Sequence, residues 1–298
     1  VKKYLSSNYN QYDLIHLHGS EHQYHTSSLE IDLPKVLSIQ GIVSEVAKVI
    51  PNKLSVKYLT MKMGAFYEYR DLKKIPNFSC RTHWDSNFIK KVSPNSKVFQ
   101  IWEMIRPSFF NDHFSTSKSK ILFLGGTQKL KGYEETLISF NILKEKNDLK
   151  LIIGGNTDKR LIQKAIDKNN LRNIKSDDIE VKGFLNENQI IELYKQSFCF
   201  VHPTYIDNSP NSVCEAQISG LPVIASNVGG VSSLIEHKKT GILTDYNPKN
   251  IADSIQNLIE DNKLRENISE NSRTVARKRH DPDTILNDNL KMYESISR

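Results

Sequence analysis

A chain of 298 residues, 38% hydrophobic and 25% charged, has the balance of a globular, water-soluble protein with room for two domains of ordinary size. No apolar run approaches the roughly 20 residues that cross a bilayer, no signal-peptide pattern opens the chain, and Cys80, Cys199 and Cys214 are odd in number and widely spaced. Within these residues neither a transmembrane helix, a disulfide framework nor a cysteine zinc site is indicated, and a reducing cytoplasm is the expected setting. The net charge of +7 is uneven, with 16 Lys/Arg against 10 Asp/Glu in residues 1–118 and 25 against 24 in the rest.

In chain order, "YDLIHLHG" and "PKVLSIQG" read as two buried strands, each ending in Gly. Lys53, Lys57, Lys62, Arg70, Lys73, Lys74 and Arg81 then lie among Tyr58, Phe66, Tyr67, Tyr69 and Phe78. Such a mixture suits a phosphorylated substrate, an anionic membrane surface or a plain solvated helix face. Without a zinc-finger, RNP or helix-turn-helix pattern, no nucleic acid is expected. "HWDSNFIKKV" reads as a helix and "KVFQIW" as a further strand, so residues 1–106 form one Rossmann-like domain. The Ser/Thr/Asn/Asp-rich stretch over 107–119 reads as a linker.

From 120 to 280 the pattern is regular. "KILFLGG", "LKLIIGG", "IEVKGF", "FCFVHP", "PVIASN" and "TGILTD" are short apolar runs that alternate with amphipathic stretches such as "YEETLISFNILKEK", "KRLIQKAIDKNN" and "ENQIIELYKQS". Strands buried on both faces and separated by helices imply a second Rossmann-like domain with a parallel sheet. Residues 281–298, with Ile285, Leu286, Leu290 and Tyr293 at helical spacing, form a separate terminal helix.

Ligands of such folds meet the carboxyl ends of the strands. In "FLGGTQKLKGYEE", Gly125 and Gly126 end a strand, Thr127 begins a polar loop, and Lys131 stands at the start of a helix. Gly admits a bulky anion close to the backbone and Lys supplies a full charge; a plain strand-to-helix turn has the same look. In "YIDNSPNSVCEAQISGLPVIAS", Ser209 reads as an N-cap and Pro210 as the first residue of a helix of about ten residues ending at Gly220. Asp207 precedes that helix and Glu215 lies inside it. The amides of Asn211 and Ser212 face outward at its start. The plain alternative is a solvent-facing Glu215 and a capping Asp207.

"DNSPNSVCEAQISGLPVIASNVGG", with "GG-x5-KG" and "KGFL" upstream, resembles the signature of the retaining glycosyltransferases of family 4, the group 1 glycosyl transferases. The similarity covers residues 120–296, and more weakly "DLIHLHG" and "SIQG". It implies an α/β GT-B fold, two Rossmann-like domains whose parallel sheets face across a cleft. The first would lack its opening strands, so a segment is expected before Val1. The terminal helix is expected to pack back towards the first domain.

The resemblance implies transfer of a sugar from a UDP- or GDP-sugar to a glycan or lipid-linked acceptor with retention of configuration, in cell-surface polysaccharide assembly. No metal and no cofactor is implied beyond the donor itself, and a peripheral contact with the inner face of the cell membrane goes with the basic first domain. Glu215 matches the Glu that binds ribose, and Asp207 takes the place of a Glu that faces the transferred sugar. Asn208 and the amides of Ser209, Asn211 and Ser212 reach sugar and phosphate, and Lys131 grips the diphosphate. Gly125, Gly126, Thr127, Gly229 and Gly230 border the donor, while Gly183 and Phe184 lie where the base is held. On the acceptor side stand His18, Gly19, His25, Gln40 and Arg81.

Three departures are visible. Asp207 is one methylene shorter than Glu, Gly126 replaces an Arg that partners the Lys, and Gln40 replaces a His. They leave open a catalytically degenerate nucleotide-binding or scaffold member, and more remotely a nucleotide-sugar epimerase. The histidines His16, His18, His22 and His25 invite a metal reading, but two of them fall in a polar loop, and none is assigned to a metal.

Overall fold

The structure, a computed structural model, describes residues 2–111 and 119–297; residues 112–118 of the expected linker lie outside them. Two compact units are formed. The first comprises Val1–Met104, Ile206–Ser209 and His280–Arg298, the second Ile105–Tyr205 and Pro210–Arg279.

The first unit opens with α1 (Lys2–Asn8), β1 (Ile15–His18), β2 (Lys35–Ser38) and α2 (Val43–Lys48). It continues with α3 (Val56–Leu72), β3 (Asn77–Cys80), α4 (His83–Val92) and β4 (Lys97–Gln100). The four strands form one parallel sheet in the order β1-β2-β3-β4. β2 and β3 are buried at every residue, as central parallel strands are. Leu37, Ile39, Leu72, Ile75, Phe78 and Ile89 fill the core. Phe78 therefore does not share the surface of the basic and aromatic residues around it in sequence. Ser55 caps α3 through the Tyr58 amide, and Thr82 with Asp85 forms a capping box on α4.

The second unit contains β5 (Lys120–Phe123), α5 (Tyr133–Leu143), β6 (Lys150–Gly154), α6 (Lys159–Lys168), β7 (Ile179–Gly183), α7 (Glu187–Gln196) and β8 (Cys199–His202). Then come α8 (Asn211–Ile218), β9 (Val223–Ser226), β10 (Ile242–Thr244), α9 (Pro248–Glu260) and α10 (Asn262–Arg279). The sheet is six-stranded and parallel, in the order β10-β9-β8-β5-β6-β7. Chain order runs one way from β5 and the other way from β8, so the topological switch point lies between those two strands.

The last helix, α11 (Pro282–Ile296), belongs to the first unit, where Ile285 and Met292 pack with Val36 and Ile101. His16 on β1 fixes it laterally: Nδ1 lies 2.6 Å from the Tyr293 hydroxyl and Nε2 2.7 Å from Ser38 Oγ. The segment read as a linker begins as a 3-10 turn, Pro107–Phe110, and Phe109 is fully buried in the second unit with its ring 6.0 Å from that of Tyr194.

Candidate functional site

At the switch point the chain leaving β5 runs through Gly125 and Gly126, and both glycines are demanded by space. A Cβ on Gly125 would enter the Phe123 ring and lie 2.8 Å from Lys131 Cβ. Gly126 has a φ of +55° and sits against the Asn156 carbonyl, its amide donating to Gly154 O at 2.9 Å. The position that carries an Arg in the related signature is thus closed here to any side chain. Lys131 ends the 3-10 turn Lys129–Lys131, which is tied to the exit of β8: the Tyr205 amide and the Thr204 hydroxyl both donate to Leu130 O at 2.9 Å. Gly132, at φ +79°, lets this turn lie against Pro203 O. The Lys131 loop is therefore held at the carboxyl ends of β5 and β8, where an anion would be met.

Glu215 does not face water; its side chain is 7% exposed. All six residues from Val213 to Ile218 are buried, so only the first turn of α8, at Asn211 and Ser212, reaches solvent. Arg106 Nη2 donates to Glu215 Oε1 at 3.0 Å, and the Tyr194 hydroxyl lies 3.3 Å from Oε2 and 3.1 Å from Ser212 O. Arg106 also pairs with Glu187 at 3.1 Å and lies over the Phe109 ring. Burial pushes the Glu215 carboxyl above the usual glutamate range, and the Arg106 guanidinium, with the Tyr194 hydroxyl, pulls it part of the way back. Arg106, Tyr194 and Glu187 carried no sequence signal: an Arg ahead of a Pro in a polar stretch does not disclose a partner 109 residues away.

The start of α8 differs by one residue from the sequence expectation. Pro210 is the cap residue, its carbonyl accepting from the Val213 and Cys214 amides at 3.0 and 3.2 Å, and no side chain caps the helix. Ser209 is therefore not the N-cap. Asn211 and Ser212 are the first helical residues, whose amides have no carbonyl behind them in the helix. The far end closes on Gly220 at φ +76°, with Leu221 N donating to Ala216 O at 2.8 Å.

Asn208 is placed otherwise than expected. It is buried in the first unit, where its Nδ2 donates to Asp85 Oδ2 at 2.8 Å and its Oδ1 accepts from the Thr82 hydroxyl at 2.6 Å. Both ends of the amide are used there, so the donor-binding assignment of this side chain is corrected to an anchoring one. Asp207 is half-buried, and its Oδ1 accepts from the Asn208 amide at 3.1 Å.

The remaining donor-side candidates lie at other strand ends of the second unit. Gly183 closes β7 at φ +65°, its carbonyl accepting from Gly155 N at 2.7 Å, and the next ring, Phe184, is 81% exposed. Gly229, at φ +54°, and Gly230 open the 3-10 turn that follows β9. Thr127 N donates to Asn156 O at 3.0 Å, which fixes the loop after β5.

In the first unit, His18, Gly19, Gln40 and Arg81 gather at the carboxyl ends of β1, β2 and β3. Arg81 Nη1 donates to Gln40 Oε1 at 2.9 Å and pairs with Glu103, while Gly19, at φ +81°, is 3.2 Å from Gln40 Cγ at its Cβ position. Gln40 holds a guanidinium instead of supplying an imidazole. His18 is exposed and stacks on His16 at 4.2 Å. His25 does not join them. It is fully buried, 3.9 Å from Asp71, and an acceptor-lining role is withdrawn for it. Among the described residues no three His, Cys, Asp or Glu side chains are grouped as a metal site needs.

The fold and these strand-end loops are those of a GT-B protein, and comparison with known proteins agrees. The family profile of the glycosyl transferases group 1 matches residues 105–275, and the chain belongs to that family. It is 26% identical over 218 residues to an uncharacterised glycosyltransferase of Methanocaldococcus jannaschii, covering 68% of this chain and 55% of that protein. It is 28% identical over 188 residues to a capsular polysaccharide biosynthesis glycosyltransferase of Staphylococcus aureus, covering 62% of this chain and 47% of the relative. The chain thus spans about half the length of the curated relatives it matches. Among solved structures, the Anabaena protein HepE in complex with UDP-glucose superposes with a TM-score of 0.72 at 18% identity, over 99% of this chain and 81% of that one.

Proposed function

We propose that the protein transfers a sugar from a UDP- or GDP-sugar to a glycan or lipid-linked acceptor with retention of configuration, in cell-surface polysaccharide assembly. The observation that carries this reading is Glu215: a carboxylate enclosed within a buried helix just after the switch-point strand β8, with a cation held beside it. The acid is held in place by Arg106 and the Tyr194 hydroxyl, and its chemistry suits the hydroxyls of a ribose. Lys131 and the amides of Ser209, Asn211 and Ser212 take the diphosphate, Asp207 the transferred sugar, and the Phe184 ring the base. Gly125, Gly126, Thr127, Gly229 and Gly230 border the donor. The UDP-glucose complex of HepE supports a uridine donor, and the capsular relative supports a glycan acceptor.

Negative charge grows on the departing diphosphate as the glycosidic bond breaks, so donors fixed beforehand stabilise the transition state more than the ground state. Lys131 and the helix amides do this without a divalent cation, and a donor phosphate oxygen accepts the proton of the acceptor hydroxyl. The acceptor is read at His18, Gly19, Gln40 and Arg81, at an anionic membrane surface. A second reading, nucleotide binding without transfer, is favoured by one observation: position 126 has no room for a side chain, so a second cation beside Lys131 would have to come from elsewhere, such as Lys129 on the same turn. Incubation with UDP-, GDP- and ADP-sugars and a glycan acceptor, followed by NMR of the new linkage, separates the two. Retained configuration in an EDTA-insensitive product is expected. Diphosphate binding with no transfer would leave only the second reading.

A further inference from the structure

We propose that Asn208 is the positioning residue of Asp207, fixing the carboxylate assigned to the transferred sugar on the same body as the acceptor-side residues. The inference deepens, and rests on, the donor reading given above. The chain leaves the second unit after Tyr205 and re-enters it at Pro210, and Ile206–Ser209 belong to the first unit, as do His18, Gly19, Gln40 and Arg81. These four residues form neither helix nor strand. Without ladder hydrogen bonds, such a segment holds its shape only through local side-chain ties, and a loose carboxylate on it would be ordered at the cost of binding. Asp207 has a single methylene, so its carboxylate goes where the backbone goes.

Asn208 supplies the tie. It is 4% exposed, its Nδ2 donates to Asp85 Oδ2 at 2.8 Å and its Oδ1 accepts from the Thr82 hydroxyl at 2.6 Å. Its backbone amide donates to Asp207 Oδ1 at 3.1 Å, so one residue holds both the segment and the carboxylate. The anchor is itself rigid. Thr82 and Asp85 are fully buried in the capping box of α4, and Asp85 Oδ1 accepts from the amides of Thr82 and Ser86 at 2.9 and 2.8 Å. Asp85 Oδ2, which receives Asn208, also receives Arg81 N at 2.9 Å. A single carboxylate oxygen therefore sets the Asp207 segment in register with Arg81, whose guanidinium is held by Gln40. Groups fixed beforehand relative to one another lower the entropy lost on reaching the reactive geometry.

The test is a double-mutant cycle of Asn208→Ala and Asp207→Asn in the whole protein. Isothermal titration compares UDP-glucose and UDP-N-acetylglucosamine with UDP, and GDP-mannose with GDP; single-turnover transfer is measured with the donor that binds. Asn208→Ala is expected to remove the preference for intact donor over diphosphate and to lower the single-turnover rate by about tenfold or more. Diphosphate affinity should stay close to that of wild type, because Lys131 and Glu215 are held by other partners. In the Asp207→Asn background the same substitution should change neither quantity further, although it lowers the Tm in both backgrounds. Thr82→Val, which leaves Asn208 Oδ1 without its donor, should follow Asn208→Ala, and Thr82→Ser should restore wild-type behaviour. Equal effects of Asn208→Ala in both backgrounds, or a loss of diphosphate affinity as large as the loss of sugar preference, would overturn the proposal and leave the donor reading standing. Failure of wild type to bind either diphosphate would remove both.

Discussion

A carboxylate as enclosed as Glu215 stays charged only beside a cation, and Arg106 is that cation. If Glu215 takes the ribose as proposed, Glu215→Gln is expected to weaken nucleoside diphosphate binding by about 1.5–3 kcal/mol, the worth of a charge-assisted hydrogen bond. The stability of the free protein should move the other way. A carboxyl whose folded pKa is raised contributes stability that is complete below its unfolded value and lost as pH rises through the folded one. At pH 7 the Gln variant should therefore match or exceed wild type in Tm, and calorimetry reads both effects. Arg106→Ala takes away the force that pulls the carboxyl down, so diphosphate affinity should fall off at a higher pH than in wild type. Coincident profiles would reduce Arg106 to a surface residue. On the proposed contact with the transferred sugar, Asp207→Asn should leave diphosphate affinity unchanged and lower the single-turnover rate.

Elements with one consistent local signal were legible in the sequence. β5, β6, β8 and β9 are short apolar runs stopped by Gly, Pro or Asn, and α8 is bracketed by Pro210 and Gly220. β3 was not legible, because Asn77–Cys80 places Asn and Ser at buried positions and Asn77 pairs with a backbone carbonyl of the neighbouring strand. α3 was not either: with Leu59, Met63 and Phe66 on its exposed face, the helix lacks the one-sided apolar pattern that would announce it. Candidate residues bound by backbone geometry, such as Gly125 and Gly126, were readable from the motif, whereas Asn208, His25 and Arg106 depended on tertiary neighbours that spacing does not reveal. Two predictions belong to this scale. Gly126→Ala places a Cβ at φ +55° against the Asn156 carbonyl and should cost about 1–3 kcal/mol, measured as a lowered Tm. Burial and the neighbouring His18 push His16 down to about 4, so the hold of β1 on α11 is complete above pH 6.5 and is lost as pH falls through about 4. The acid side of the stability profile should accordingly flatten in His16→Gln, by roughly 2 kcal/mol after allowance for partial exposure.

For the whole molecule, the charge distribution and the site divide the work. The positive excess lies in residues 1–118, and the group 1 glycosyl transferase match over 105–275 falls mostly in the nearly neutral remainder. Among the described residues no helix is long and apolar enough to cross a membrane. Donor recognition at the carboxyl ends of β5 and β8 is what the proposed transfer requires first. Isothermal titration of UDP and GDP into wild type, Glu215→Gln and Lys131→Ala tests it most directly. One of the two diphosphates should bind wild type in the presence of EDTA, and each substitution should weaken it about tenfold or more without loss of the folded Tm. Binding of neither diphosphate, or affinities indifferent to both substitutions, would contradict it.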